Sequence, residues 1–284
     1  MKSLAQEARR QGLRLRTSAA WVEYFRRNGQ HLRPIPWEEG IVLSPAERTA
    51  VIRSIQIFQL GESGEGKHFM RVAERFARRA GDPDYLVALT MFLAEEHRHA
   101  GQLGRLLDLA GEPRLTKEWT DNIFRWLRHR AGLELMIAVL LTGEVMAQVY
   151  YVALARATKS LTIRRLCGQI LRDEAAHVRF QAERLALLRQ KKSRLRLALV
   201  AFCERVLFAG ACLAVWRGHR SVFRTAGFSF GSFWRRAQRA FRRSLRLTDP
   251  RSYADLGILP TTTRFEDLHT VRHTRISNEK QSAA

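Results

Sequence analysis

Two glutamate–histidine pairs at helical spacing constrain this chain more than anything else in it. Glu96-x-x-His99 lies in LAEEHRHAGQL and Glu174-x-x-His177 in LRDEAAHVRF. A lone glutamate stands upstream of each: Glu62 in FQLGESGEG, 34 residues before Glu96, and Glu144 in LLTGEVMAQ, 30 residues before Glu174. Each of these glutamates falls where a 3.6-residue period calls for a core side chain. Phe58, Glu62, Phe69 and Val72 make one stripe, and Phe92, Glu96, His99 and Leu103 a second. Leu140, Glu144, Gln148 and Tyr151 make the third, and Ile170, Glu174, His177 and Gln181 the fourth. A buried, unpaired carboxylate costs on the order of several kcal/mol. Four of them on inward faces need cations. Two divalent ions offset four carboxylates, and two neutral imidazoles complete the donor set. One Glu from each of two helices, with a Glu-x-x-His from each of two more, is the ligand pattern of a dinuclear site in a four-helix bundle.

Chance supplies one such pair but not this arrangement. With nine histidines in 284 residues, a given Glu has roughly a 3% chance of a His three places later. Glu65-x-x-His68 reads as such an accident, although Glu65 lies on nearly the same face as Glu62 and is a candidate extra or alternative ligand. His68 is expected at the periphery and His97, one residue off the ligand stripe, at the surface.

Register supports the same arrangement. Ser44-Pro45-Ala46-Glu47 combines an N-cap serine, a proline at the first helical position and a capping glutamate. A first helix is predicted from there to about Ala80, stopped by Gly81-Asp82-Pro83. A second follows to Gly111-Glu112-Pro113, a third starts near Gly132 and a fourth near Ser160. At 1.5 Å per residue, Glu144 and Glu174 both lie roughly 21–23 Å from the Thr158–Ser160 turn. Glu62 and Glu96 differ in height by about 7 Å, which requires a kink at Gly61, Gly64 or Gly66. The stretch 111–131 is a long crossover between two antiparallel hairpins, with a short helix expected around Trp119, Ile123 and Trp126.

The expected fold is therefore all-α: a bundle over 45–190, preceded by a basic N-terminal extension (1–44) holding one short helix around Trp21, Tyr24 and Phe25. Basic amphipathic helices follow over 191–246, with an aromatic packing edge at Phe223, Phe228, Phe230, Phe233 and Trp234. A polar, flexible tail occupies 247–284. The apolar stretch Leu195–Trp216 is interrupted by Arg196, Glu204 and Arg205 and is expected to be a buried helix rather than a membrane span. Three cysteines without a C-x-x-C fit a reducing compartment, and no secretory leader is apparent, so a cytoplasmic location is expected. Cys167 is expected to be a small core residue. The net charge of +22 is concentrated after Leu185. It suits an acidic protein, RNA or an anionic membrane surface, or simply a solvated face.

Residues 46–190 resemble the ferritin-like di-iron carboxylate superfamily. Leu60-Gly61-Glu62-Ser63 is similar to the first-helix motif of rubrerythrins, and Arg172-Asp173-Glu174-Ala175-Ala176-His177 to the fourth-helix motif of the ribonucleotide reductase small subunit and related oxygenases. The resemblance implies that Asp173 holds His99 and Glu95 holds His177, outside the ligands themselves. The chain also departs from these relatives. Leu103 stands where the reductase subunit has its radical tyrosine, and Ala147 where rubrerythrins supply an extra carboxylate.

The implied protein is an oxidoreductase with two iron ions (manganese or a mixed Fe/Mn pair being the alternatives). Its ligands are Glu62, Glu96, His99, Glu144, Glu174 and His177. It would activate O2 to oxidise or oxygenate a small-molecule or carrier-bound substrate, served by an external electron donor. Tyr151 would relay an electron or line a substrate pocket, and a homodimer is compatible. The alternatives are an iron-handling or peroxide-protective protein, and a basic helical adaptor with a structural metal.

Overall fold

The computed structural model describes residues 13–64, 66–116 and 132–253. Helices account for the order among them: α1 (Ser18–Gln30), α2 (Pro45–Glu62), α3 (Lys67–Ala80), α4 (Asp84–Leu109), α5 (Leu133–Arg156), α6 (Leu161–Arg189), α7 (Arg194–Thr225) and α8 (Phe230–Thr248). No strand occurs among the described residues beyond an isolated parallel bridge between Leu13 and Tyr253. The crossover helix expected around Trp119, Ile123 and Trp126 lies outside the described residues, as do Glu65 and the tail from residue 254.

Local chemistry sets the boundaries. The Ser44 hydroxyl accepts the Glu47 N–H, and the Glu47 carboxylate accepts the Ser44 N–H at 2.9 Å, closing the capping box that starts α2. Gly81, at φ 65°, ends α3, and Asp82 Oδ1 accepts the Tyr85 N–H at the start of α4 at 3.2 Å. Four residues, Ala157–Ser160, turn α5 back onto α6, and these two helices pack along their length. Helix α2 packs along α4, and α4 also meets α6. Tyr150, Tyr151, Phe92, Phe180 and Leu103 fill the space between them.

The expected first helix over 45–80 is two helices. It breaks after Glu62, where Gly61, Gly64 and Gly66 weaken the helix by roughly 1 kcal/mol each relative to alanine. Gly66 is left-handed, at φ 63°, and a Cβ there would lie 2.7 Å from Leu93 Cδ1. The exposed His97 ring reaches across the break, its Nε2 3.1 Å from the Gly64 carbonyl oxygen. The 7 Å height difference is thus taken up by a complete interruption rather than a bend.

Three further expectations need correction. Within the expected N-terminal extension, the described residues 13–44 are not an appendage: α1 packs on α4, with Trp21 and Phe25 buried and the Trp21 indole N–H donating to Glu183 Oε2 at 2.9 Å. Residues 247–253 are docked, because Thr248, Pro250 and Tyr253 are buried and the Leu13 N–H donates to the Ser252 carbonyl at 2.8 Å. Finally, Leu195–Trp216 is not a buried helix. Helix α7 packs on α2, α5 and α8 with one face only, burying Glu204, Phe208, Ala211 and Cys212. By length and hydropathy α5 and α7 both reach membrane-span dimensions. The window in α5 is 72% buried, whereas that in α7 is 22% buried. The aromatic edge does form as expected: Phe223 packs on Phe233 at 4.6 Å and on Phe228 at 6.3 Å, and Phe230 on Trp234 at 5.9 Å.

Substituting Gly66→Ala forces a Cβ into a left-handed conformation and against Leu93, so it is expected to lower stability by about 2 kcal/mol. Gly64→Ala, whose Cβ meets only Gly61 O at 4.0 Å, is expected to stay within about 0.5 kcal/mol. Denaturant titration of both variants checks this.

Candidate metal centre

The four ligand-bearing helices bring their acidic and imidazole side chains to one place. Glu96, His99, Glu174 and His177 each offer a donor atom within 4.8 Å of the others. His177 Nδ1 lies 2.9 Å from Glu96 Oε1, 3.6 Å from Glu144 Oε2 and 3.9 Å from Glu174 Oε2. His99 Nδ1 lies 3.6 Å from Glu174 Oε1 and 3.9 Å from Glu96 Oε1. The two Glu174 oxygens are therefore divided between the two rings. Glu62, the last residue of α2, is half-buried beside Glu96 and accepts the Tyr151 O–H at 2.9 Å.

The outer nitrogen of each ring is already engaged. His99 Nε2 lies 3.1 Å from Asp173 Oδ2, and His177 Nε2 2.9 Å from Glu95 Oε2. Those carboxylates accept an N–H, so that in the neutral form of each ring Nδ1 is the lone pair and faces the cluster. These are the two pairings that the family resemblance implied.

Sequence reading missed what holds the two acids. Asn28 of α1 donates one amide hydrogen to Glu95 Oε1 at 2.6 Å and the other to Asp173 Oδ1 at 2.8 Å, and its own oxygen accepts from Arg172. Asp173 also accepts from Arg98 at 2.8 Å and from Gln169 at 2.9 Å. The pattern for Asn28 was present in the sequence: Trp21, Phe25 and Asn28 fall on one helical stripe, which puts an amide where a core residue belongs. Phe25, one turn earlier, packs on the His177 ring at 6.2 Å. Cys167 is a buried thiol in the core, His68 is half-buried at the start of α3, and Glu65 lies outside the described residues.

The donor set fits divalent metal ions. Glu96 Oε1, His99 Nδ1, both oxygens of Glu174 and His177 Nδ1 are buried without a hydrogen-bond partner, a concentration of unsatisfied groups that a folded core does not tolerate without compensation. Ligand atoms around one first-row ion stand about 3–4 Å apart, the range of the separations here. Mixed carboxylate and imidazole donors suit iron, manganese or zinc.

Electrostatics point the same way. Burial, and next the Glu96 charge, push the Glu62 carboxyl well above the usual range. Burial and the Glu144 charge do the same to Glu174, and they raise Glu96 as well. Burial also penalises the Glu144 carboxylate, but the adjacent His177 and Glu174 groups outweigh it and hold that group low. Burial works against a charged His177 ring, yet Glu144, Glu95 and Glu96 outweigh it and carry the imidazole well above its usual value. Asp173 is an anion: burial opposes its charge, but hydrogen bonds from His99, Asn28 and Gln169 overcome the penalty.

Comparison with protein families, with curated proteins and with solved structures gave no match.

The protonation pattern and its supports set the response of the site to pH, metal and substitution. Glu62, Glu96, Glu174 and His177 bind protons more tightly in the folded chain, so their contribution favours the metal-free fold at low pH and is lost as pH rises through their raised values. Divalent ions replace those protons. The rise in melting temperature on adding Fe(II), Mn(II) or Zn(II) is therefore expected to grow between about pH 6 and about pH 8. Glu174→Gln is expected to abolish that rise while leaving the metal-free melting temperature at neutral pH unchanged or higher, because a neutral amide replaces a carboxyl whose charged form burial disfavours. Asp173→Asn, which spoils the acceptor for His99, is expected to weaken metal binding roughly 10–100-fold by calorimetry.

Proposed function

We propose that the chain is a ferritin-like di-metal carboxylate protein. In this reading it binds two iron ions, with manganese or a mixed pair as the alternative, and works as an O2-activating oxidoreductase on an organic substrate. The observation that carries the reading is the convergence of four glutamates and two histidines from α2, α4, α5 and α6, with inward donor atoms of Glu96, His99, Glu174 and His177 lacking hydrogen-bond partners. The antiparallel pairs α2/α4 and α5/α6, joined through residues 110–132, support the ferritin-like assignment.

A bound pair of redox-active ions supplies electrons and Lewis acidity for O2 chemistry. The protein does the rest by positioning. Glu174 and Glu96 lie between the two rings, while Glu62 and Glu144 flank them. Glu95 and Asp173 fix the ring orientations, and Asn28 fixes both acids. Tyr151 holds its proton, since burial and then the Glu62 charge push the phenol well above its usual value, and it presents that proton to Glu62. Behind it, Tyr151 packs on Phe58 at 5.5 Å, and Phe58 stacks on Tyr150 at 3.5 Å and meets His219 of α7 at 4.9 Å. This run of rings gives electrons from an external donor a path toward Glu62. The two buried thiols, Cys167 and Cys212, suit a reducing, cytoplasmic setting.

Metal analysis after anaerobic Fe(II) loading, followed by oxygen, tests the proposal. Two irons per chain and oxidation confined to the bound pair are expected. Many irons per chain would identify a storage protein instead. Failure of the unsubstituted chain to retain any metal, with a melting temperature unmoved by metals, would overturn the dinuclear reading. Tyr151→Phe is expected to keep both metals and to slow Fe(II) oxidation by roughly an order of magnitude, measured by stopped-flow oxygen consumption.

A further inference from the structure

We propose that the outer face of α7 docks on an anionic lipid bilayer, with the helix lying flat in the interface. Leu195, Leu199, Phe202, Val206 and Leu213 are 58–81% exposed. Their spacing of four, three, four and seven residues places them in one straight row, about 27 Å long. Scattered exposed apolar residues are ordinary, but a continuous row of this length marks a surface that something covers.

The charge around the row selects the occupant. Between Glu204 and Asp249 the chain carries ten arginines and no acid. Arg194, Arg196, Arg205 and Arg217 flank the row on α7 itself, all exposed. On the neighbouring α8, Arg235, Arg239, Arg242 and Arg246 form an exposed stripe at the same helical spacing, while Phe233, Ala237 and Phe241 face inward. None of these eight arginines makes an ion pair among the described residues. A second copy of the chain would bring the same cations against themselves, and a nucleic acid would leave the aliphatic row in water. An anionic bilayer matches both features: acyl chains take the row and headgroups take the guanidinium groups.

The inner face of α7 shows why the helix lies on the bilayer and does not cross it. Glu204 is buried and paired with Arg189. Phe208 stacks on Phe241 at 4.0 Å, His219 Nδ1 lies 2.6 Å from Ser54 Oγ, and the Ser221 hydroxyl donates to the Ala50 carbonyl at 2.9 Å. A spanning helix would have to abandon all four contacts and carry Glu204 and Arg205 into hydrocarbon. Docking through the outer face costs none of them, and none of the residues in the row belongs to the metal centre.

Flotation of the full-length protein with vesicles tests the proposal. Vesicles of phosphatidylcholine with about a third phosphatidylglycerol are expected to carry the protein, vesicles of phosphatidylcholine alone are not, and added salt should weaken the binding. The double substitution Leu199→Glu and Phe202→Glu, at exposed positions, is expected to reduce partition at least about tenfold with an unchanged melting temperature. Arg239→Gln with Arg242→Gln is expected to weaken binding several-fold and to flatten the salt dependence. An environment-sensitive dye on Cys203, which is exposed beside Phe202, should shift to the blue on adding the anionic vesicles. The proposal falls if the wild type does not float, or if the glutamate variant floats equally well. It also falls if the dye is already shifted in buffer and the glutamate variant splits a dimer, which would identify a second copy as the occupant. Resistance to alkaline carbonate extraction would show a spanning helix and overturn the flat placement.

Discussion

Everything at the centre of this protein depends on negative charge placed where water does not reach. Glu144 and Glu174 are buried outright, Glu62 and Glu96 partly so, and two imidazole rings cannot offset four carboxylates. Such a cluster is stable only with protons or cations in it. The surrounding polar structure decides between these by fixing the donors. Each histidine is turned by an acid on its far side, so its lone pair has one direction available. Each of those acids is itself buried, so each needs donors, and Asn28 supplies one hydrogen to both. A single amide on α1 thus couples the orientation of two rings on two other helices. That coupling explains why α1 is packed into the molecule when the region reads as an extension.

The break after Glu62 belongs to the same constraint. A continuous helix through residue 80 would hold Glu62 about 7 Å out of height with Glu96. Ending α2 at Glu62 frees the carboxylate from that register and leaves it half-exposed, the most open member of the cluster along with Glu96. Three glycines in six residues make the interruption inexpensive, and the Gly64 carbonyl is met by His97 of α4, the neighbour in sequence of Glu96. His97 appears in the sequence as a surface residue off the ligand stripe, and it is exposed. Its contact with the loop depends on where the helix stops, and no periodicity carries that.

Periodicity and spacing made the helical class, the inward faces of the four glutamates and the tightness of the α5/α6 turn readable in advance. The pairing of Asp173 with His99 and of Glu95 with His177 came from the family resemblance. What escaped was tertiary. Asn28 and Arg98 become partners of Asp173 only once three helices meet. The end of α8 continues into a docked segment because Tyr253 finds Leu187 and Leu15, a contact separated by most of the chain. The apolar run in α7 was misread for a related reason. Its composition is that of a buried helix, but the molecule supplies packing partners for one side only.

That one-sidedness joins the surface to the centre. The α7 backbone departs from helical geometry at His219, and the same residue is held by Ser54, whose hydroxyl donates to the Tyr150 hydroxyl at 3.1 Å. Burial pulls the His219 imidazole down to about 3, so the ring is neutral at physiological pH and adds no charge to an interior already crowded with carboxylates. Ser54 lies two turns before Glu62 on α2, and Tyr150 is next to Tyr151, which donates to Glu62. A bilayer docked on the outer face of α7 would therefore press on a helix whose inner face is hydrogen-bonded to α2 and linked through Ser54 to Tyr150 of α5, the two elements that position Glu62. The contacts are neutral, short and buried, so displacement of α7 would pass to Ser54 and Tyr150 as packing and hydrogen bonding, with no long-range electrostatic effect required.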